Sequence, residues 1–193
     1  IASDEVTGQV QLPIDRLAIA LNRPLTAAAV EQPAALEELR QYVAAHLAAA
    51  DTASAAPWAV DVAGGRVETI DDVDHLVYDV VLRPPSGTVR DFRLHYDGIV
   101  HHLLSHRIFV SSRPAGADTY TAVGLIDWES QTVVVPAGDA VAEQGFPAAL
   151  RLGVTHIAEG ADHLLFLVTL LLPAPLLARR GRWVRADDLQ RGG

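Results

Sequence analysis

The feature that most constrains this chain is an apolar run near its C-terminal end, "LLFLVTLLL" at residues 164–172. As a helix, residues 150–172 would span about 34 Å, close to the roughly 30 Å hydrocarbon core of a bilayer. Pro173 and Pro175 would end or kink that helix, because proline removes a backbone donor and clashes with the preceding turn. Arg179, Arg180, Arg182 and Arg185 follow closely, and the positive-inside rule then turns this end toward the cytoplasm, with Trp183 marking the interface. The pattern predicts an extracytoplasmic domain over residues 1–140, a linker at 141–149, a transmembrane helix over 150–178 and a basic cytoplasmic tail over 179–193. A competing reading makes 164–178 a short core or self-associating helix of a trimmed soluble form.

Composition supports that division. Residues 1–145 carry nine arginines against twenty acidic groups, whereas residues 179–193 carry five arginines against two aspartates. An acidic body excludes nucleic acid as a partner, since phosphate recognition needs a basic face. With no cysteine in the chain, disulfides and thiolate metal sites are ruled out. There is no methionine even at position 1, so a processed chain whose leader has been removed is expected.

Ahead of the apolar run the sequence predicts a mainly β, antiparallel, sandwich-like domain with one amphipathic helix. Residues 5–22 mix β-formers in alternation, and Pro13 confines any strand there to an edge or ends it. From Pro33 to Ala50 the apolar positions Leu36, Leu39, Val43 and Leu47 recur at helical spacing, and Pro33 suits a first helical turn. Short strand patterns follow: "PWAVDVAGG" ending in a Gly-Gly turn, "GRVETI", the acidic turn "DDVD", "HLVYDVVLRPP", an alternating stretch from Val89 to Tyr96, "TYTAVGLIDW" and "QTVVVP". Regular spacing with Gly and Pro punctuation is the mark of an antiparallel sandwich.

Two histidine groups carry the chemistry. In "GVTHIAEGADHLLFLVTLLL" (residues 153–172), His156 and His163 lie seven apart and fall within about 20° of each other on a helical wheel. Glu159 and Gly160 lie between them, and Asp162 flanks the glutamate edge. Ionisable groups at membrane depth are costly and face a protein interior or water, so this helix needs partner helices or a membrane complex. Imidazole and carboxylate without thiolate suit Ni²⁺, Co²⁺ or Zn²⁺; the same groups could relay protons or simply be wetted at the helix end. The second group is His95, His101, His102 and His106, with Asp97 nearby. His95 and Asp97 would share one face of a strand, and His102 and His106 would share one face if residues 99–106 were helical, at an i, i+4 spacing that can bind a metal, and would still fall on one side if they were extended. A solvated histidine-rich turn accounts for this group as well, and His46 and His75 read as ordinary surface groups. Asp71, Asp72 and Asp74 lack the rest of a calcium loop. No phosphate loop, nucleophile elbow or zinc-protease helix is present, and no enzyme is expected.

The segment "GVTHIAEGADHLLFLVTLLL" resembles the first membrane segment of the HupE/UreJ family, hydrogenase and urease accessory proteins regarded as nickel permeases or nickel-delivery factors. Its hallmark is a histidine, five intervening residues, then Asp-His, standing here as His156, "IAEGA" and Asp162-His163. "VQLPIDRL", "VDHLVYDV" and "VRDFRLHYDGIVHHLLSHR" resemble the large extracytoplasmic N-terminal domain of one branch. The resemblance implies a metal pathway through His156, Asp162 and His163, with Ni²⁺ as a transiently bound cargo and Glu159 as a polar neighbour. It also implies further membrane helices, which a truncated form would lack or other chains would supply. The rival expectation is a non-catalytic accessory subunit that docks its β-domain and single helix onto a membrane complex.

Overall fold

The computed structural model describes residues 4–113, 115–137, 176–179 and 182–185. The chain divides into two compact units, Ile1–Ala148 and Ala149–Gly193.

The first unit is mainly β and antiparallel. Strands β1 (Val6–Pro13), β3 (Ala59–Ile70) and β4 (Val73–Arg83) form one sheet in the order β1-β4-β3. Pro13 closes β1, which is an edge strand, as the missing proline N–H requires. Register sorts the side chains: Val10 pairs with Tyr78, Leu12 with Leu76, Val60 with Leu82 and Val62 with Val80, all on the inner face. Leu76 and Tyr78 are fully buried there, and each fully buried large apolar side chain contributes about 1.5–3 kcal/mol.

The Gly64-Gly65 pair, expected to end a strand in a turn, instead forms a bulge within β3, where the register shifts between Ala63 and Arg66. Side chains alternate with a period of two, so one extra residue reverses which parity faces inward. Val60 and Val62 point inward before the bulge, and Val67, opposite Leu76, does so after it. Had the same residues paired regularly, with no bulge, Glu68 would turn inward in its place. Asp71 and Asp72, both with positive φ, make the two-residue turn between Ile70 and Val73, the conformation that a tight hairpin demands.

The second sheet has the order β2-β5-β8, from β2 (Leu47–Asp51), β5 (Phe92–Tyr96) and β8 (Thr132–Val135). Its inner residues Leu47, Ala49, Phe92, Tyr96 and Val135 join the same hydrophobic cluster as the first sheet. Trp58 links the two: its ring packs 4.5 Å from Phe92 and its indole N–H donates to Asp51 at 2.9 Å. A two-stranded ribbon of β6 (Ile108–Ser112) and β7 (Thr121–Ile126) completes the strands of this unit among the described residues.

Three helices, rather than one, lie among these strands: α1 (Ile14–Ala20), α2 (Ala27–Val30) and α3 (Pro33–His46). They pack on the first sheet and bury Leu17, Val30, Leu39 and Val43 in the common core, so the layer facing that sheet is part helix and the fold departs from a plain sandwich. Tyr78 fixes α3 to the sheet, its hydroxyl donating to the Leu36 carbonyl at 2.6 Å; burial pushes its pKa up to about 12. The helix expected to reach Ala50 stops at His46, because residues 47–51 pair with β5. Alanine favours the helix locally, but propensity is a weak preference, and pairing with β5 overrides it there.

In the second unit, β9 (Leu176–Arg179) and β10 (Arg182–Arg185) pair antiparallel, with Leu177 opposite Val184 and Ala178 opposite Trp183. The expected helix therefore does not include 176–178, which follow Pro173 and Pro175. Residues 150–175, which carry the rest of that expectation, lie outside the described residues. Among the described residues no helix is long and apolar enough to cross a membrane.

Candidate functional site

His156, Glu159, Asp162 and His163 lie outside the described residues. The second histidine group can be placed residue by residue. The sheet register runs Leu47 opposite Tyr96, which brings the end of α3 alongside the residues that follow β5. Asp97 donates its N–H to the His46 carbonyl at 3.3 Å, and its carboxylate lies 2.7 Å from His46 Nδ1. Tyr42, one turn before His46 and on the same helix face, packs its ring 4.4 Å from the imidazole. Its hydroxyl accepts the Ile99 N–H at 2.9 Å.

Residues 98–105 are turns rather than a helix, so the helix-face pairing of His102 with His106 is not formed. Ile99 is fully buried with φ +66°, a conformation that is a genuine outlier for a β-branched residue. Tyr42 and the buried side chain hold it there against a cost of roughly 1–3 kcal/mol. Gly98 has no room for a side chain, since a Cβ would collide with the Tyr96 hydroxyl. That hydroxyl is buried without a hydrogen-bond partner among the described residues, and burial pushes its pKa up.

The four predicted histidines separate. His101 donates Nδ1–H to the Asp97 carbonyl at 2.6 Å and stacks on His46, with centroids 4.7 Å apart and planes 22° apart. His102 is exposed against the His101 ring at 4.0 Å. His95 sits on the outer side of β5, with Nδ1 3.2 Å from the Thr132 hydroxyl. His106 is half-buried within the field of Arg16 and Asp15 on α1; burial, then Arg16, holds its pKa below the ordinary histidine value. Burial pushes the Asp97 carboxyl up, but the His46 hydrogen bond and the charges of His46, His95 and His101 together hold it below the ordinary carboxylate value.

A carboxylate and a carbonyl can only accept, so Nδ1 of both His46 and His101 carries a proton and each neutral ring keeps Nε2 as an acceptor. Oxygens that accept the other ring N–H orient metal-binding histidines in this way. Here, however, the rings stack with planes only 22° apart, which keeps their lone pairs in separate, nearly parallel planes. Among the described residues no group of three or more His, Asp or Glu could hold a metal ion. The arrangement instead clamps the 97–102 turn onto α3. His46, read from sequence as a surface group, is the center of this clamp. The signal was its i, i+4 spacing from Tyr42, hidden by the helix being carried on to Ala50. Asp74 is likewise taken up locally, accepting from the Thr69 hydroxyl at 2.9 Å in the acidic turn.

Residues 130–186 match the family model described as HupE / UreJ protein. The match begins at the loop before β8, spans the His156 to His163 motif and ends just past β10; it does not reach the N-terminal stretches for which a resemblance was drawn. No curated protein and no solved structure matches the chain.

Proposed function

The chain belongs to the HupE/UreJ family through residues 130–186, and on that premise we propose that it is a membrane-anchored protein of metal uptake or delivery, with nickel as the cargo. The carrying observation is that the matched segment contains His156, Asp162 and His163 in the spacing that resembles the family's motif. On a helix the two imidazoles share a face, with Glu159 beside them. In a chain without cysteine these groups offer nitrogen and oxygen ligands, the donor set suited to Ni²⁺, Co²⁺ or Zn²⁺. Two histidines and a carboxylate leave the coordination shell incomplete, which suits a carrier that must release what it captures. Further membrane helices complete the pathway in this reading. Residues 1–140 lie on the extracytoplasmic side and the arginines from 179 onward on the cytoplasmic side. No bond is made or broken.

Calorimetric titration of Ni²⁺, Zn²⁺ and Co²⁺ into the detergent-solubilised chain, beside the His156→Ala/His163→Ala variant, tests this. Binding that vanishes in the variant supports the assignment. Equal affinity in both proteins refutes it and returns attention to the histidines of the first unit.

A further inference from the structure

Residues 97–103 form a strap beside the end of α3, and it is fastened there by a single helical turn. Within the strap the hydrogen bonds are local. The Val100 N–H donates to the Gly98 carbonyl at 2.8 Å, that of His101 to Asp97 at 3.2 Å, and those of His102 and Leu103 to Ile99 at 3.0 and 2.8 Å. Among the described residues, the hydrogen bonds that leave the strap all end on α3. Asp97 meets the backbone and the imidazole of His46, and the Ile99 N–H meets the Tyr42 hydroxyl. The stack of His101 on His46 adds to them, and the side chains of Ile99 and Val100 are fully buried.

Two features oppose this closed arrangement, and one movement relieves both. Ile99 carries φ +66°, a conformation that a β-branched residue keeps only while its surroundings enforce it. The Tyr96 hydroxyl is buried with no hydrogen-bond partner among the described residues, and such an orphan has given up its water for nothing. Gly98 lies so close to that hydroxyl that a Cβ there would collide with it. Lifting Gly98 and Ile99 together lets water reach the hydroxyl and releases Ile99 from the left-handed region. The sheet takes no part in the latch: β5 is paired with β2 and β8, and the Tyr96 N–H donates to the Gln131 carbonyl at 3.0 Å.

We propose that residues 97–103 are a two-state strap, latched by Tyr42 and His46, that opens as one unit while the sheets stay folded. Opening hydrates the Tyr96 hydroxyl and unstacks His101 from His46, which frees the Nε2 atoms of both rings to take other partners. A unit of this size exposes little surface, so its opening responds weakly to denaturant.

Amide hydrogen exchange of the full chain in detergent is the test. The amides of residues 99–103 are expected to exchange as one group, at least about tenfold faster than that of Tyr96 and with a shallower urea dependence. His46→Ala should speed the whole group, Leu103 included, although the Leu103 N–H bonds only within the strap. Tyr96→Phe should slow the group about tenfold, because it removes the unpaired hydroxyl. Rates that scatter residue by residue describe fraying, and rates that match Tyr96 in size and urea dependence describe global unfolding; either overturns the proposal. Unchanged or faster exchange in Tyr96→Phe overturns it as well, since closure then costs that hydroxyl nothing.

Discussion

Replacing Gly65 by alanine tests the claim that the β3 bulge sets which residues of that strand face the core. Gly65 has φ +121°, and an added Cβ would stand 2.9 Å from Tyr78 Cε1 and 3.1 Å from Leu36 Cδ2. The Leu36 methyl can rotate away, but the Tyr78 ring is fully buried and tied by its hydroxyl to the Leu36 carbonyl. Backbone strain in a region that only glycine visits freely costs about 1–3 kcal/mol, and overpacking a fixed ring costs a similar amount. Together these come to about 2–6 kcal/mol, and stiffening of the unfolded chain recovers roughly 0.4–1 kcal/mol of it. Gly87→Ala is the control: its φ is +66° and nothing lies within 4 Å of the new methyl. It bears only the left-handed penalty of roughly 1–2 kcal/mol, less the 0.4–1 kcal/mol or so recovered by stiffening the unfolded chain. The assay is urea denaturation of the full chain in detergent, followed by Trp58 fluorescence with Trp128 and Trp183 replaced by phenylalanine. A midpoint for Gly65→Ala no lower than that for Gly87→Ala, at an unchanged denaturant slope, would refute the packing argument.

Three further outcomes are expected. Tyr42→Phe removes the acceptor for the buried Ile99 N–H and should cost about 1–3 kcal/mol, with faster amide exchange at Ile99 as the specific readout. The Asp97 pKa is held below its unfolded value, so the stability it contributes is present above about pH 3.8 and is lost as pH falls through the folded value; Asp97→Asn should flatten the stability profile in that acid window. His106 also has a depressed folded pKa, so in its case the unfolded chain binds the extra proton. Stability should fall as pH drops below about 6.5, and His106→Gln should remove that slope in a pH series of denaturation midpoints.

Much of the strand pattern was legible in the sequence because alternation is local. β4 stops at the proline pair, β1 stops at Pro13 as an edge strand, and Asp71-Asp72 makes a turn because two positive-φ residues tolerate it. What was misread depended on partners distant in sequence. The Gly-Gly pair has the composition of a turn, and only pairing with β4 on both sides makes it a bulge. Residues 47–50 continue a helical spacing, and only the edge of β5 draws them into a strand.

The histidines show the same division most sharply. Residue type and spacing determined that imidazoles were concentrated between 95 and 106 and that no thiolate could join them, while His156, Asp162 and His163 stand in a spacing that resembles a family motif. Tertiary structure alone decided that His46, some fifty residues away, would take the Asp97 carboxylate while His101 took its carbonyl. Two acceptors on one residue fix two rings nearly parallel, and parallel rings cannot aim their lone pairs at one ion. Sequence determines which donors are present; where their lone pairs point is decided only when the sheet register brings the end of α3 against the end of β5.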